Sequence, residues 1–243
     1  MNQEPRPAKR ALVIVAHPDD IEFVLAGTIA KWVKAGSRVR YVLVTSGDAG
    51  THQSNITRAE LARIREAEQR AAAEVVGVEQ VIFLRYPDGM VMPTLELRRD
   101  LVREIRAFKP DTVFCYDPTR FFSAGSYVNH PDHRAVATAA LDAISPTAAM
   151  PLSFPELGLP PHRVRQILLA ATSTPDTWID ISETFDLKVE ALRKHESQLN
   201  AGNRDFMGMI KQWAIDTGMA AGLQYAEAFM KIVRPDVEAD VVE

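Results

Sequence analysis

The sequence has little of what several classes of protein depend on. Among 243 residues there is a single cysteine, Cys115, which excludes an internal disulfide framework and any metal site built from several cysteines. Its 28 basic residues are outnumbered by 32 acidic ones, giving a net charge of −4, so no basic surplus exists to neutralise a nucleic-acid backbone. No apolar run is long enough to cross a membrane. We expect a protein of a reducing, cytoplasmic compartment that binds neither nucleic acid nor membrane.

The start of the chain resembles a secretion signal only superficially. The apolar run at 11–16 is too short for a signal core, and it is followed at once by the polar residues 17–20. We therefore expect residues 1–9 to be a flexible tail and residues 10–243 to form a single domain.

Strands and helices are predicted to alternate along the first half of the chain. Short apolar runs predict buried strands, and periodicity predicts the helices between them: strands at 11–16, 39–45, 81–84 and 112–116, helices at 21–35, 58–76 and 95–108. This alternation is typical of an α/β fold with a doubly wound, mostly parallel, Rossmann-like sheet and helices on both faces. Ligands of such sheets bind at the carboxyl ends of the strands. Chemistry is therefore expected just after residues 16, 45, 84 and 116.

The second half is less regular. The proline-rich stretch 145–165 predicts a loop or lid, and residues 167–171 predict another strand. A helix is predicted at 182–200, with Ser182 as its N-cap. The Met-rich, apolar segment 203–243 is expected either to cover the core or to form an oligomer interface.

Two polar clusters lie where this fold would concentrate chemistry. His-Pro-Asp-Asp at 17–20 directly follows the first predicted strand, and His-Pro-Asp-His at 130–133 follows the loop after the fourth. Together they contain three aspartates and three of the six histidines. Either cluster alone is compatible with an ordinary turn or helix start. Both of them at predicted strand ends favour a functional site.

These residue types suit a hydrolytic metal site. Such a site uses three nitrogen or oxygen ligands and an open position for water, and it needs a nearby carboxylate that is not a ligand to take the proton of the water. The first cluster can supply a histidine and one aspartate as ligands, leaving the other aspartate as base. The second can supply one histidine as ligand, while the other steadies an oxyanion and protonates the leaving amine. Asp132 can accept a hydrogen bond from an imidazole and fix its tautomer.

The spacing of the two clusters predicts a divalent-cation site, with zinc favoured, between them. It leaves open which histidine of the second cluster binds the metal and which aspartate of the first is the base.

Other classes of function fit less well. A nucleotide-binding protein would carry a glycine-rich turn after the first strand, where this chain has acidic residues. Asp19 and Asp20 are too close in sequence to act as the two carboxylates of a glycosidase. Ser46, Ser123 and Ser126 lack the context of a nucleophilic serine. A non-catalytic sugar-binding protein is the remaining rival, and the intact set of ligands and base argues against it.

From residue 11 to about residue 198 the chain resembles the LmbE/PIG-L-like family of zinc-dependent N-acetylglucosaminyl deacetylases. The resemblance rests on Ala-His-Pro-Asp-Asp at 16–20 paired with His-Pro-Asp-His-Arg at 130–134. Weaker support comes from residues 65–68, Tyr-Pro-Asp-Gly at 86–89, Lys188 and His-x-Ser-Gln at 195–198. The stretch from Asp117 to Tyr127 is nearest in form to the diacetylchitobiose deacetylase branch. Relatives that act on glucosaminyl-thiol precursors are a close second.

The resemblance implies a role for each site residue. The implied metal ligands are His17, Asp20 and His133. Asp19 is implied to be the general base, and His130, with Asp132 beside it, the group that stabilises the tetrahedral intermediate. Arg65 and Asp88 are implied to contact the sugar. Tyr127 is a candidate for a neighbouring oxyanion or substrate contact, because Val128 stands where some relatives have a tyrosine.

The resemblance also implies an activity and its partners. We expect a zinc-dependent hydrolase that removes an N-acetyl group from an N-acetylglucosamine-containing sugar or conjugate. The alternative within the family is a deacetylase or amidase of a glucosaminyl-thiol precursor. Relatives often form trimers or hexamers, so a homo-oligomer is expected.

Overall fold

The computed structural model describes residues 4–122, 127–199 and 205–234. The described residues contain seven strands: β1 (Arg10–Val15), β2 (Arg38–Thr45), β3 (Gln80–Tyr86), β4 (Thr112–Tyr116), β5 (Gln166–Ala170), β6 (Thr177–Asp180) and β7 (Ala226–Val233). They form one sheet in the order β3-β2-β1-β4-β5-β7-β6. Pairing is parallel from β3 to β5, whereas β7 runs antiparallel to β5 and β6. The predicted mostly parallel α/β sheet is confirmed.

Helices cover both faces of this sheet. Their bounds are α1 (Asp20–Val24), α2 (Ala26–Lys34), α3 (Arg58–Val75), α4 (Leu95–Phe108), α5 (Pro131–Ile144), α6 (Phe185–Arg193), α7 (Glu196–Leu199) and α8 (Phe206–Met219). Within the three described ranges, no helix has the length and apolar character needed to span a membrane.

The central strand β1 contributes side chains to the hydrophobic core on each face of the sheet. Alternate side chains of its apolar run enter opposite hydrophobic cores, with Val13 facing α2, α3 and α6 and Leu12 facing α4 and α5. Burial on both faces is the reason this strand is apolar without alternation. The polar residues that follow it are therefore delivered to the carboxyl edge of the sheet.

The helix predicted at 21–35 is interrupted, which corrects the expectation of one continuous element. At Leu25 the backbone leaves the helical region, with φ −151° and ψ 3°, and so separates α1 from α2. Glu227 of β7 accepts hydrogen bonds from the N–H groups of Gly27 and Thr28 at 3.1 and 2.7 Å. Lys188 donates to the carbonyl of Phe23 at 3.0 Å. These distant side chains stabilise a break that local periodicity does not encode.

The helix predicted at 182–200 is also divided, and Ser182 is not its N-cap. α6 begins only after Thr184, and α7 is a separate short helix. Ser182 Oγ instead donates to Asp180 Oδ1 at 2.6 Å and accepts from the N–H of Tyr225 at 3.3 Å. This hydroxyl stabilises the turn between β6 and α6, so the predicted N-cap is wrong. Residue 200 lies outside the described residues.

The irregular and terminal segments are tied to the domain. The stretch 145–165 contains only two short 3-10 turns, Thr147–Ala149 and Pro155–Leu157, and the buried guanidinium of Arg106 donates to carbonyls within it. Glu4 of the predicted tail pairs with Lys31 at 2.6 Å.

Within the segment 203–243, α8 and β7 are described, and β7 lies inside the sheet rather than over it. Residues 1–3, 203–204 and 235–243 of the two expected terminal segments lie outside the described residues, as do Ser123 and Ser126.

Candidate active site

The two polar clusters meet at the carboxyl edge of the sheet, as the strand order predicts. His17 Nδ1 lies 3.3 Å from His133 Nε2, and Asp20 Oδ1 lies 3.0 Å from the same nitrogen. Asp20 Oδ2 is fixed by hydrogen bonds from the N–H groups of Ala16 and His17 at 3.1 and 2.8 Å. Asp20 Oδ2 is thus held by the backbone and lies 3.7 Å from His17 Nδ1, while Oδ1 faces His133.

The outer nitrogens of both imidazoles have protein acceptors, and this assigns their tautomers. His17 Nε2 lies 3.0 Å from Asp88 Oδ1 and 3.3 Å from Asp132 Oδ2, while His133 Nδ1 lies 3.1 Å from Asn129 Oδ1. Each outer nitrogen therefore carries the proton, and each inner nitrogen presents a lone pair.

In these neutral tautomers two lone pairs and a carboxylate oxygen face the same region, an arrangement that fits a cation and that a proton on an inner nitrogen also satisfies. Burial acts to lower the pKa of His17, but hydrogen bonds with Asp132, Asp20 and Asp88 hold it well above its ordinary value. The surroundings of this ring favour positive charge.

Asp19 and Asp20 are neighbours in sequence but face different partners. Asp19 adopts φ 90° and ψ −25°, a left-handed conformation that non-glycine residues seldom take and that costs about 1–3 kcal/mol. Its Oδ2 lies 3.1 Å from Arg65 Nη2, and its N–H donates to Gln69 Oε1 at 3.0 Å. Burial raises the pKa of Asp19 to about 6, with Arg65 acting in the opposite direction.

His130 begins α5 and presents a donor to the cavity. Its Nδ1 accepts the N–H of Asp132 at 3.2 Å, so the proton is on Nε2. Its ring stands edge-on to His17 at a centroid distance of 4.7 Å, and a nitrogen from each of the three imidazoles lies within 4.8 Å of the others. Burial, together with the charges of His17 and His133, lowers the pKa of His130. A neutral imidazole with an N–H is the form that can stabilise developing negative charge.

The imidazole that the Asp132 carboxylate contacts is that of His17, not that of His130. Its two oxygens accept from the N–H groups of Gly89 and Val91 at 2.7 and 3.2 Å, and Oδ2 approaches His17. The side chain is completely buried. It therefore orients His17, and only its backbone N–H meets His130.

The two residues expected to bind sugar are also engaged with protein. Asp88 contacts His17 through Oδ1 and accepts from the N–H of Ala49 through Oδ2 at 3.0 Å. Burial acts to raise the pKa of Asp88, but the hydrogen bond with His17 lowers it to about 2. Arg65 Nη1 donates to Gly47 O at 3.0 Å, and Nη2 donates to Pro18 O at 2.6 Å. A Cβ at Gly47 would lie 2.3 Å from the guanidinium, so the glycine admits it.

Three residues around the site were not predicted from the sequence. Tyr116 stacks on His133, with centroids 4.6 Å apart and an interplanar angle of 14°. Asn129 orients the same imidazole, and Gln69 holds the backbone of Asp19. A signal existed for two of them, because Tyr116 ends β4 and Asn129 immediately precedes the second cluster. Gln69 lies within a charged helix, and no local pattern distinguishes it.

The His-x-Ser-Gln stretch at 195–198 contacts the site from behind. His195 Nε2 lies 3.2 Å from Glu22 Oε2. Ser197 donates through both N–H and Oγ to Glu68 at 2.7 Å, and Gln198 donates to Gly50 O at 3.1 Å. These contacts attach α7 to α3 and to the loop after β2.

A cavity of about 1050 Å³ opens beside the histidines and aspartates. Its near part contains Tyr127, which is half-exposed. Its far part runs along α8 and is largely apolar, with four aromatic side chains in the wall: Phe23, Trp178, Phe206 and Trp213. We call the five residues at the near end, His17, Asp19, Asp20, His130 and His133, the cavity cluster.

Comparison with known proteins gives consistent matches. The family described as PIG-L, GlcNAc-PI de-N-acetylase, matches residues 12–144, a stretch that contains the whole cavity cluster. A diacetylchitobiose deacetylase of Thermococcus kodakarensis is 32% identical and covers 93% of this chain and 84% of its own length. A probable N-acetyl-alpha-D-glucosaminyl L-malate deacetylase 2 of Bacillus anthracis is 27% identical over 78% of this chain and 81% of its own.

Among solved structures, the diacetylchitobiose deacetylase of Pyrococcus horikoshii, in complex with an inhibitor, superposes with a TM-score of 0.85. It is 31% identical, and the match covers 96% of this chain and 88% of that one.

Proposed function

The chain belongs to the PIG-L family of de-N-acetylases. From that premise we propose that it is a metal-dependent hydrolase. Its substrate is N-acetylglucosamine within a small sugar or conjugate, from which it releases acetate. The observation that carries the proposal is the convergence of His17 Nδ1, Asp20 Oδ1 and His133 Nε2 beside a cavity. Two imidazole nitrogens and a carboxylate oxygen at this spacing offer a divalent ion three ligand atoms from protein.

We assign the metal ligands to His17, Asp20 and His133. Two imidazole nitrogens and a carboxylate oxygen are a usual hydrolytic zinc set, although the same atoms would bind another borderline divalent ion. The bound ion would supply a Lewis acid that polarises the acetyl carbonyl and lowers the pKa of a water molecule. Asp88, Asp132 and Asn129 orient the two imidazoles from outside.

Asp19 is the proposed base. Its Oδ2 is paired with Arg65, so Oδ1 is the oxygen that takes the proton of the attacking water. The water oxygen bonds to the acetyl carbon while that carbon–oxygen double bond becomes an oxyanion. The proton held by Asp19 then passes to the amide nitrogen as the carbon–nitrogen bond breaks, which yields acetate and a free amine.

His130 is the proposed oxyanion donor. Its Nδ1 is occupied by the N–H of Asp132, so Nε2–H is the donor available to the carbonyl oxygen of the substrate. We propose that Asp132 acts on the reaction through His17 and the backbone contact to His130, without touching the substrate.

Substrate contacts are proposed at both ends of the cavity. Tyr127 stands at the near end, where it can meet the sugar. Arg65 and Asp88 line the same end, but their bonds to Asp19 and His17 favour an orienting role alongside any contact with sugar hydroxyls. The far part, along α8, is large enough to receive whatever the N-acetylglucosamine is attached to. The named relatives act on diacetylchitobiose and on a malate conjugate, and both are candidates here.

The test is acetate release by purified protein from N-acetylglucosamine, N,N'-diacetylchitobiose and the malate conjugate. The protein is assayed as isolated, after removal of metal by a chelator, and after addition of Zn²⁺ or another divalent ion. We expect activity to disappear with the chelator and to return with metal. Acetate release that survives complete metal removal would contradict the proposal. Preference between the disaccharide and the malate conjugate distinguishes the two substrate classes.

A further inference from the structure

Behind the cavity cluster lies a set of polar side chains to which the reaction gives no direct task. Glu22 of α1, Gln69 of α3 and His195, which precedes α7, are each completely buried. We call these three residues the buried network. Buried polar groups that lack a purpose are disfavoured, because each must be removed from water.

The three side chains form a continuous chain of contacts that ends on the backbone of Asp19. His195 Nε2 lies 3.2 Å from Glu22 Oε2, and Glu22 Oε1 accepts from Gln69 Nε2 at 3.0 Å. Gln69 Oε1 in turn accepts the N–H of Asp19 at 3.0 Å.

The geometry of Asp19 makes this support consequential. Its φ of 90° is the conformation that sends neighbouring side chains in different directions, Asp20 to the imidazoles and Asp19 to Arg65. Strained backbone of this kind persists only where the surroundings hold it. Arg65 holds the side chain of Asp19, and Gln69 is the residue that holds its N–H.

We propose that Gln69, Glu22 and His195 are positioning residues that keep the backbone of Asp19 in its left-handed conformation and so aim the base at the cavity. This inference rests on the proposed function, in which Asp19 takes the proton of water. The network acts on turnover through the direction of one carboxylate, and it leaves the ligand set to Asp20 and the imidazoles.

A swap of two side chains tests the connection. Gln69→Glu keeps the acceptor for Asp19 but sets two carboxylates 3 Å apart, which breaks the link to Glu22. Glu22→Gln alone keeps an oxygen for Gln69 and is the milder change. The double variant places the amide at position 22 and the carboxylate at position 69, so that position 22 donates to position 69 and position 69 still accepts the N–H of Asp19.

The expected result is a loss of kcat that the swap repairs. For Gln69→Glu we expect kcat to fall by about tenfold to hundredfold, because displacement of a reacting group by about 1 Å has effects of that size. KM and bound metal per chain should stay at the wild-type values. The double variant should recover to within about threefold of the wild-type kcat, as expected for two coupled positions.

Ser197→Ala is the matched control. It removes a partly buried hydrogen bond between α7 and Glu68, in the same region, that is not part of the chain of contacts to the Asp19 backbone. We expect it to lower Tm and leave kcat unchanged. The proposal is overturned if Ser197→Ala and Gln69→Glu lower kcat equally, if the double variant does not recover, or if Gln69→Glu loses its metal.

A second measurement does not depend on turnover. Hydrogen exchange of the Asp19 amide should be slow in the wild type and faster in Gln69→Met, which removes the acceptor, while the amides of the central strand β1 stay equally protected in both. Unchanged exchange at Asp19 would contradict the network whatever the activity. Failure of wild-type protein to release acetate from any substrate would instead contradict the proposed function, and the exchange result would still decide the role of Gln69.

Discussion

The cavity cluster and the buried network both pair histidine with carboxylate, and the network adds the amide of Gln69. They differ in what the nitrogen and oxygen atoms of these side chains face. In the cavity cluster the outer imidazole nitrogens are bonded to protein, so the inner ones converge on Asp20. In the buried network His195 faces Glu22 directly, and that carboxylate is shared with Gln69. The first arrangement faces a cavity and fits a cation, whereas the second is enclosed by protein and pairs His195 with Glu22 at 3.2 Å, with no hydrogen-bond partner for His195 Nδ1 among the described residues. A histidine beside a carboxylate therefore indicates a metal site only when both face the same third point.

The largest effect on activity is expected from removal of one of the side chains proposed to bind the metal. His133→Ala removes one of three ligands, and we expect the protein to lose its metal at micromolar free ion and its acetate release to fall below detection. Metal analysis after dialysis checks this, together with activity. Asn129→Ala is the graded comparison, since loss of a hydrogen bond behind a ligand weakens metal binding by about tenfold to a hundredfold. Retention of a full metal complement by His133→Ala would mean that His130 is the ligand.

The next effect separates the base from the ligands within the cavity cluster. Asp19→Asn keeps the size and the neighbours of Asp19 but removes the proton acceptor, and we expect kcat to fall by about 10² to 10⁴-fold. Bound metal should stay at the wild-type level, as measured by elemental analysis. An Asp19→Asn variant with near-normal turnover would assign the base elsewhere.

A somewhat smaller loss of kcat is expected for substitution of His130. This residue belongs to the cavity cluster, but its Nδ1 accepts the N–H of Asp132 and only Nε2–H is available to the substrate. His130→Ala removes the Nε2–H donor, and we expect kcat to fall by about 10² to 10³-fold with metal retained. His130→Gln, whose amide can still donate, should recover part of that loss. If both variants behave alike, a hydrogen bond from position 130 to the oxyanion is not required.

The smallest effect is expected in the buried network and appears in stability. Burial acts to lower the pKa of His195, but Glu22 raises it above its ordinary 6.5. A histidine whose pKa is raised by folding stabilises the fold below the unfolded pKa, and this contribution disappears as pH rises through the folded pKa. The Tm advantage of wild type over His195→Gln, a few degrees, should be largest below pH 6.5 and should shrink toward pH 9. An advantage that grows with pH would show that His195 is neutral in the folded protein.

Much of the fold can be predicted from the sequence because burial on both faces leaves long apolar runs. β1, β4 and most of β2 are apolar runs, interrupted in β2 by Arg40, and α4 has a strong amphipathic pattern. Their predicted bounds agree with the structure to within one residue. The break at Leu25 and the division between α6 and α7 were not predicted. Both depend on partners far along the chain, such as Glu227 for Gly27, which no local pattern can register.

The same division holds for the site. Placing the two clusters in one crevice follows from strand order, and that prediction is confirmed by the distance between His17 and His133. The direction in which each carboxylate points does not follow, because the approach of Asp132, at the start of α5, and of Asp88, in the turn after β3, to His17 depends on the whole fold. The roles of individual residues came from the family resemblance, and they remain predictions.

The position of β7 has a consequence for biosynthesis. β6 is translated before β7 but joins the sheet only through it, since β7 lies between β5 and β6. Glu227, on that same strand, supplies the cap of α2 and the anion for Lys188. A nascent chain therefore lacks the side chain that caps α2 until residue 227 has left the ribosome, more than two hundred residues after Asp20. The first polar cluster to be translated therefore depends for support on one of the last strands to be made, and a ribosome stalled within α8 would carry both polar clusters but not the residue that caps α2.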